Sequence, residues 1–295
     1  MNKQLKGDLF TAMVTPFNDD YSLNLDMAKI LAKKLIKEGS DGIIVCGTTG
    51  ESPTLTRKEK CKMFEAVNEA VGDIATVVAG TGTYSTKETV ELSKIAQKIG
   101  VDGVMLVGPY YNKPPQEGLY QHFKTVSENI DIPILIYNVP SRTSRNIDAS
   151  TIIRLSDIEN IVAVKEASGD FKQITKIITG TPDSFKVLSG NDSDTFGVLN
   201  LGGDGIVSVA SHIVGKEIKD MIENYKKGDV NKAREIHLKL MDIFETLFIT
   251  TNPIPVKTMV NMLGINVGPL RLPLVNATEN EKKRFEESLN KLNLL

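Results

Sequence analysis

A lysine inside an apolar run is the first feature of this sequence able to do covalent chemistry. Lys165 interrupts Ile161-Val162-Ala163-Val164, a stretch that reads as a buried strand, whereas most other lysines fall on amphipathic segments. Lysine is seldom fully buried without a partner or a task. Desolvation disfavours the ammonium, lowers its pKa from about 10.4, and leaves a neutral amine able to attack a carbonyl and form a Schiff base. The plainer alternative is an ion pair with Glu166, or an ammonium reaching from the strand end to solvent. On spacing alone the two readings stand level.

Thr48, Tyr111 and Tyr137 carry hydroxyls at or just beyond the ends of similar runs. Schiff-base formation passes through a carbinolamine whose oxygen must gain and lose protons, and hydroxyls at about 2.6–3.2 Å can relay them. A single buried tyrosine more often only packs its ring. Three hydroxyls at adjacent strand ends beside a lysine shift the balance toward a relay. Arg142 lies in a predicted loop after Tyr137-Asn138-Val139-Pro140, where a guanidinium can hold a carboxylate in two parallel bonds or simply sit in water. Gly47, Gly50, Gly80, Gly82 and Gly190 suit close approach of a small ligand to the backbone, though tight turns alone explain them. Gly80-Thr81-Gly82 does not continue to a third glycine and does not open the first unit, which rejects a dinucleotide fingerprint. His122, His212 and His237 are scattered, and no metal centre is expected. Cys46 and Cys61 cannot form a disulfide framework and read as reduced, packed thiols.

These groups need elements to hold them. Eight short apolar runs recur: Leu9–Thr15, Gly42–Cys46, Ala75–Ala79, Gly103–Val107, Pro133–Asn138, Ile161–Glu166, Phe185–Ser189 and Gly205–Val209. Apolar at nearly every position, they predict parallel strands buried on both faces. Amphipathic segments separate them. Thr56-Arg57-Lys58-Glu59 and Ser85-Thr86-Lys87-Glu88 predict capping boxes, and Gly39 and Gly100 predict helix C-caps. Eight βα units predict an α/β fold, a (β/α)₈ TIM barrel, with its working groups at the C-terminal strand ends. An open doubly wound sheet is the runner-up, but Pro16-Phe17-Asn18-Asp19-Asp20 after the first run is no phosphate loop. From about Gly228 the pattern turns purely helical, with Ile236, Leu240, Phe244 and Leu247 forming one stripe and further helices after Pro255 and Thr278. The expected organisation is a catalytic barrel over 1–227 and a helical region over 228–295.

The bulk figures fit such an enzyme. Of 295 residues 41% are hydrophobic, and 35 basic residues nearly cancel 37 acidic ones. That composition can bury a core, which argues against disorder, and it lacks the basic clusters that nucleic acid requires. No apolar run is long enough to span a membrane, and the start Met1-Asn2-Lys3-Gln4-Leu5-Lys6-Gly7-Asp8 has no apolar leader core, so the expected location is cytoplasmic.

Five motifs, in order and at matching spacing, resemble the pyruvate-dependent class I aldolase and lyase family that includes N-acetylneuraminate lyase. They are Gly47-Thr48-Thr49-Gly50-Glu51, Pro109-Tyr110-Tyr111-Asn112-Lys113-Pro114, Tyr137-Asn138-Val139-Pro140-Ser141-Arg142-Thr143, Val164-Lys165-Glu166 and Ser189-Gly190-Asn191-Asp192. The resemblance implies a cofactor-free condensation of pyruvate with L-aspartate 4-semialdehyde, on the route through diaminopimelate to lysine. It implies Lys165 as the Schiff-base residue. It gives Tyr137, Thr48 and Tyr111 as the proton relay, with Tyr111 reaching into a neighbouring subunit. It also implies Thr49 on the pyruvate carboxylate, Arg142 on the semialdehyde carboxylate, backbone contacts from Gly190 and Ile206, and a homotetramer built as a dimer of dimers. Sugar-acid aldolases are the nearest alternative, disfavoured by Arg142. A non-catalytic pyruvate-binding module is a further one, disfavoured by the complete relay. Arg57, Lys60 and Tyr84 stand where lysine-inhibited members tend to carry histidine or small polar residues, and added cations there oppose cationic lysine, so inhibition is expected to be weak or absent.

Overall fold

A computed structural model describes residues 4–295; Met1, Asn2 and Lys3, which open the stretch read above for a leader, lie outside the described residues. Each of the eight runs yields a strand: β1 Leu9–Ala12, β2 Gly42–Val45, β3 Thr76–Gly80, β4 Gly103–Val107, β5 Ile134–Asn138, β6 Ile161–Glu166, β7 Lys186–Ser189 and β8 Gly205–Ser208. Each pairs in parallel with the next, and β8 closes on β1, so the sheet is a barrel. Helices α1 Leu25–Lys37, α2 Arg57–Val71, α3 Thr86–Ile99 and α4 Gln116–Ser127 follow the first four strands in turn. A one-turn helix, α5 Pro140–Thr143, and α6 Ala149–Ser156 follow β5, then come α7 Phe171–Gly180, α8 Thr195–Asn200 and α9 Ser211–Lys226. Three more, α10 Val230–Thr246, α11 Ile254–Met262 and α12 Glu279–Lys291, complete the chain.

Period-two alternation splits the strand side chains between two cores. Phe10, Ile44, Val78, Leu135, Leu188 and Val207 fill the barrel interior. Leu9, Ile43, Val77, Ile134, Val187 and Ile206 pack outward against the helices. Both sets are apolar, and for that reason the runs show no polar face in the sequence.

Local signals govern the helix starts. At α2, Thr56 Oγ1 accepts from Glu59 N and the Glu59 carboxylate accepts from Thr56 N, the reciprocal box expected there. At α3 only half of the expected box forms: Ser85 Oγ accepts from Glu88 N, with no return bond from Glu88 among those described. Gly100 caps α3 in the left-handed region at φ +92°, a conformation costly for any residue with a Cβ. The stripe of α10 is buried at Leu240, Phe244 and Leu247 and half-buried at Ile236. The segment expected after Pro255 begins one residue earlier, with that proline inside the first turn of α11, where its missing N–H costs nothing. Among the described residues, no helix is long and apolar enough to cross a membrane.

Candidate active site

Lys165 is the fifth residue of β6, level with Tyr137 on β5 and Leu188 on β7. Its direction depends on an irregularity. The β5–β6 register runs Ile134↔Ile161, then Leu135↔Ala163, so Val162 is an extra residue and both Val162 and Ala163 face the interior. Beyond that bulge, Val164 points outward and Lys165 inward, as bulges beside active sites commonly re-aim side chains. Lys165 is 5% exposed and its Nζ lies 4.3 Å from the centroid of the Tyr137 ring. Among the described residues it has no carboxylate within ion-pair distance. Burial lowers its pKa to about 8, against the pull of Asp192 and with added push from Arg142. That shift corresponds to roughly 3 kcal/mol against the ammonium, so desolvation outweighs the nearest anion.

The ion pair with Glu166 does not form because Glu166 faces the other way, and at 5% exposure Lys165 does not reach solvent. Its carboxylate accepts from Asn138 Nδ2 at 3.1 and 3.0 Å, from Ser168 N at 2.8 Å and from Gln173 Nε2 at 3.1 Å. Asn138 and Glu166 are themselves register partners, so this network braces from behind the pair that presents Tyr137 and Lys165 to the interior.

Two adjoining cavities open at this end of the barrel. One, of about 150 Å³, is lined by Lys165, Thr49, Gly190, Asn191 and Asn252, among others. The other, of about 240 Å³, is lined by Cys46, Ser52, Pro53, Tyr110 and Thr143, among others. Thr48, Tyr137 and Arg142 line both. Burial pushes the Tyr137 phenol up in pKa, opposed by the Arg142 charge and by the neighbouring Thr48 side chain. A retained phenol proton beside a neutral amine is what a relay needs.

Arg142 stands on α5 and not in the loop expected from the sequence, because Pro140 opens a helical turn there. Its Nη2 donates to the Asn252 carbonyl at 3.3 Å, and Asn252 Nδ2 donates to Thr49 Oγ1 at 3.0 Å. Asn252 therefore ties together two predicted substrate contacts. Nothing in its local sequence marks it, since its partners lie 203 and 110 residues away. Gly190 is required by packing and not by a turn: a Cβ there would meet the Cβ of Ala167 at 2.6 Å.

Two predicted residues are not brought into this chain's cavities. Tyr111 is 91% exposed at φ +72° and points away; its neighbour Tyr110 lines the second cavity, edge-on to Tyr84 at 5.3 Å. Ile206, second in β8, buries its side chain in the outer core and donates its N–H to the Asp8 carbonyl at 2.7 Å. Val209, just past the strand end, lines the Lys165 cavity instead. The histidines hold structure: His212 accepts from Val14 N through Nε2 at 3.1 Å, His122 Nδ1 lies 2.9 Å from Thr86 Oγ1, and His237 stacks on Phe196. Cys46 is buried and its thiol is pushed up to about 12 by desolvation, which makes it inert despite lining a cavity.

The arrangement is a lysine with a lowered pKa beneath a phenol and beside a hydroxyl, with a guanidinium at the rim of small cavities. Comparisons with known proteins agree with that chemistry. A profile of the dihydrodipicolinate synthetase family matches residues 5–292. The chain is 52% identical over 289 residues to the 4-hydroxy-tetrahydrodipicolinate synthase of Desulforudis audaxviator, covering 98% of each. It is 53% identical over 289 residues to that of Moorella thermoacetica, covering 98% of this chain and 99% of the relative. Among solved structures, the dihydrodipicolinate synthase of Cyanidioschyzon merolae with lysine bound superposes with a TM-score of 0.97 at 44% identity, over 99% of this chain and 100% of the other. A chain built on this barrel and matched over nearly its whole length belongs to the dihydrodipicolinate synthetase family.

Proposed function

We propose that the chain is a lyase, a 4-hydroxy-tetrahydrodipicolinate synthase, which condenses pyruvate with L-aspartate 4-semialdehyde through a Schiff base on Lys165. The reaction is the first committed step of the diaminopimelate route to lysine. The observation that carries this reading is the buried Lys165 amine, its pKa drawn down to about 8, directly beneath the Tyr137 ring. Relatives about half identical over nearly the full chain bear the same activity in their names.

The neutral Nζ attacks the keto carbon of pyruvate. The carbinolamine oxygen takes a proton through Tyr137 and Thr48 and leaves as water, giving an iminium. Loss of a methyl proton gives the enamine, so the lysine nitrogen stabilises the carbanion and no cofactor is needed. Enamine carbon then attacks the aldehyde carbon, whose oxygen takes a proton. The adduct's own amine adds to the iminium carbon and expels Lys165, so the two substrates combine with net loss of water. Thr49 and the backbone at Gly190 bind the pyruvate end, and Arg142 holds the semialdehyde carboxylate; Ile206, its N–H engaged by Asp8, is left out of this set. Tyr111, exposed in one chain, completes the relay of a neighbouring copy in a homotetramer made of two dimers. Residues 1–227 form the catalytic barrel and 228–295 an appended helical region, and the enzyme works in the cytoplasm on small molecules, without nucleic acid or membrane.

A pyruvate-binding module without catalysis would need no relay above its lysine. Borohydride reduction with pyruvate, followed by peptide mass analysis, should place the adduct on Lys165, and turnover should be seen with aspartate semialdehyde and not N-acetylneuraminate. An unmodified Lys165 would refute the mechanism. Lysine should inhibit weakly or not at all. Arg57 is paired with Glu91 at 2.8 Å and burial lowers the pKa of Lys60, so each opposes a cationic ligand less than a free surface cation would. Half-inhibition at sub-millimolar lysine would overturn that expectation.

A further inference from the structure

Glu51 closes the Gly47-Thr48-Thr49-Gly50-Glu51 motif but touches neither cavity, and the chemistry above leaves it without a task. It is 2% exposed and sits at φ +54°, a left-handed conformation that a residue with a Cβ adopts only when its surroundings hold it there. Its side chain is held from both sides by the C-terminal region. Lys257, on α11, places its Nζ 2.7 Å from Glu51 Oε1 and 2.8 Å from the Thr15 carbonyl, 4.2 Å above the Phe17 ring. Glu51 Oε2 accepts from the backbone N–H of Arg271 at 2.9 Å. Both side chains of the ion pair are at most 1% exposed.

The loop so held is the one that carries the relay. Glu51 N donates to the Thr48 carbonyl at 3.0 Å and Gly50 N to the Gly47 carbonyl at 3.1 Å, so the turn at Glu51 sets the backbone of Thr48. A second brace, from Thr15 Oγ1 to the Gly50 carbonyl at 2.6 Å, starts from the residue whose own carbonyl Lys257 holds. Buried ion pairs seldom add much net stability, since desolvation consumes the Coulombic gain, and in some proteins they instead select one geometry over its neighbours.

We propose that the Glu51–Lys257 ion pair is a positioning device for proton transfer, locking the Gly47–Glu51 turn so that Thr48 faces the cavities it shares with Tyr137. It rests on the reading of Lys165 as the Schiff-base amine. Glu51 uses its two oxygens for different donors. A glutamine can satisfy only one of them and turns an N–H₂ toward the other.

Glu51→Gln should therefore lower kcat at least about tenfold while the KM for aspartate semialdehyde, set by Arg142 outside the loop, stays within about twofold. The double variant Glu51→Gln/Lys257→Met removes the unpaired buried charge, so its melting temperature should return toward wild type while kcat stays low. Glu51→Asp retains the charge but withdraws the carboxylate by one methylene, and should show the same split if the glutamine variants fail to fold. Recovery of kcat together with melting temperature in the double variant, or wild-type kcat in Glu51→Asp, would overturn the proposal. Borohydride labelling of wild-type Lys165 separates the two readings. Labelling with unaffected variants sinks the positioning role alone, and no labelling sinks both.

Discussion

The reactive property of Lys165 belongs to its surroundings and not to its type. An ammonium in water is a poor nucleophile, and the barrel makes it an amine by withholding solvent from it. With its pKa near 8, the neutral fraction should fall about tenfold per pH unit below that value. Borohydride trapping with limiting pyruvate should thus steepen through pH 6 to about 8 and level off above. A profile still rising toward the ordinary lysine value of 10.5 would show that burial does not tune the group. The sign for stability follows by linkage. The folded state binds fewer protons than the unfolded one between about 8 and 10.5, so stability rises with pH across that window. Lys165→Met should abolish trapping, remove its own share of that slope while leaving the share of Lys257, whose burial also lowers its pKa to about 8, and leave the melting temperature unchanged or higher, because it replaces a desolvated amine with an apolar chain of similar length.

At the scale of elements, the site is an assembly of strand ends braced from behind. The Val162 bulge turns Lys165 to the interior, the Asn138–Glu166 pair holds β5 and β6 level, and α5 lifts Arg142 to the rim. The segment between α10 and α11 reaches over the barrel mouth through Asn252. Asn252→Ala leaves the backbone carbonyl that holds Arg142 but frees Thr49, at a cost of about 1–3 kcal/mol for the unpaired buried hydroxyl. Its expected signature is a pyruvate KM raised roughly tenfold or more with little change in the semialdehyde KM. Equal rises in both would show that Asn252 acts on the whole site and not through Thr49. The half-formed box at Ser85 has a simple cause. The residue types suffice for a box, but the Ser85 N–H that Glu88 would accept is already donated to Thr83 Oγ1 at 3.0 Å.

For the molecule as a whole, Tyr111 combines the residue type of a relay with the exposure of a surface group. If it acts in a neighbouring copy, Tyr111→Phe and Lys165→Ala chains are each inactive alone, yet activity returns when they are refolded together. In such a mixture an intact lysine site can meet an intact tyrosine. Failure to regain activity, with mixed assemblies verified by mass, would remove Tyr111 from the relay. The C-terminal helical region is more than an appendage in this frame. Lys257 and Arg271 fasten it to the motif loop, and Asn252 lines the cavity itself. A boundary near residue 228, drawn from the change in periodicity, therefore marks a change of pattern and not a separation of function.

What the sequence determined by itself is largely local or periodic: eight strands, the helices between them, a few of the caps, and the five motifs at strand ends. Strand and helix signals are written within a few residues, and a closed parallel barrel makes the strand ends converge whatever lies between. Tertiary structure alone decided the rest. Reading strict alternation outward from Ile161 puts Lys165 on the helix side; only the pairing of β6 with β5 reveals the extra residue that reverses it. Asn252, Lys257 and Arg271 carry no local mark, because their meaning lies in partners some two hundred residues away. Side-chain direction and long-range contact are properties of the packed chain, and no window along the sequence contains them.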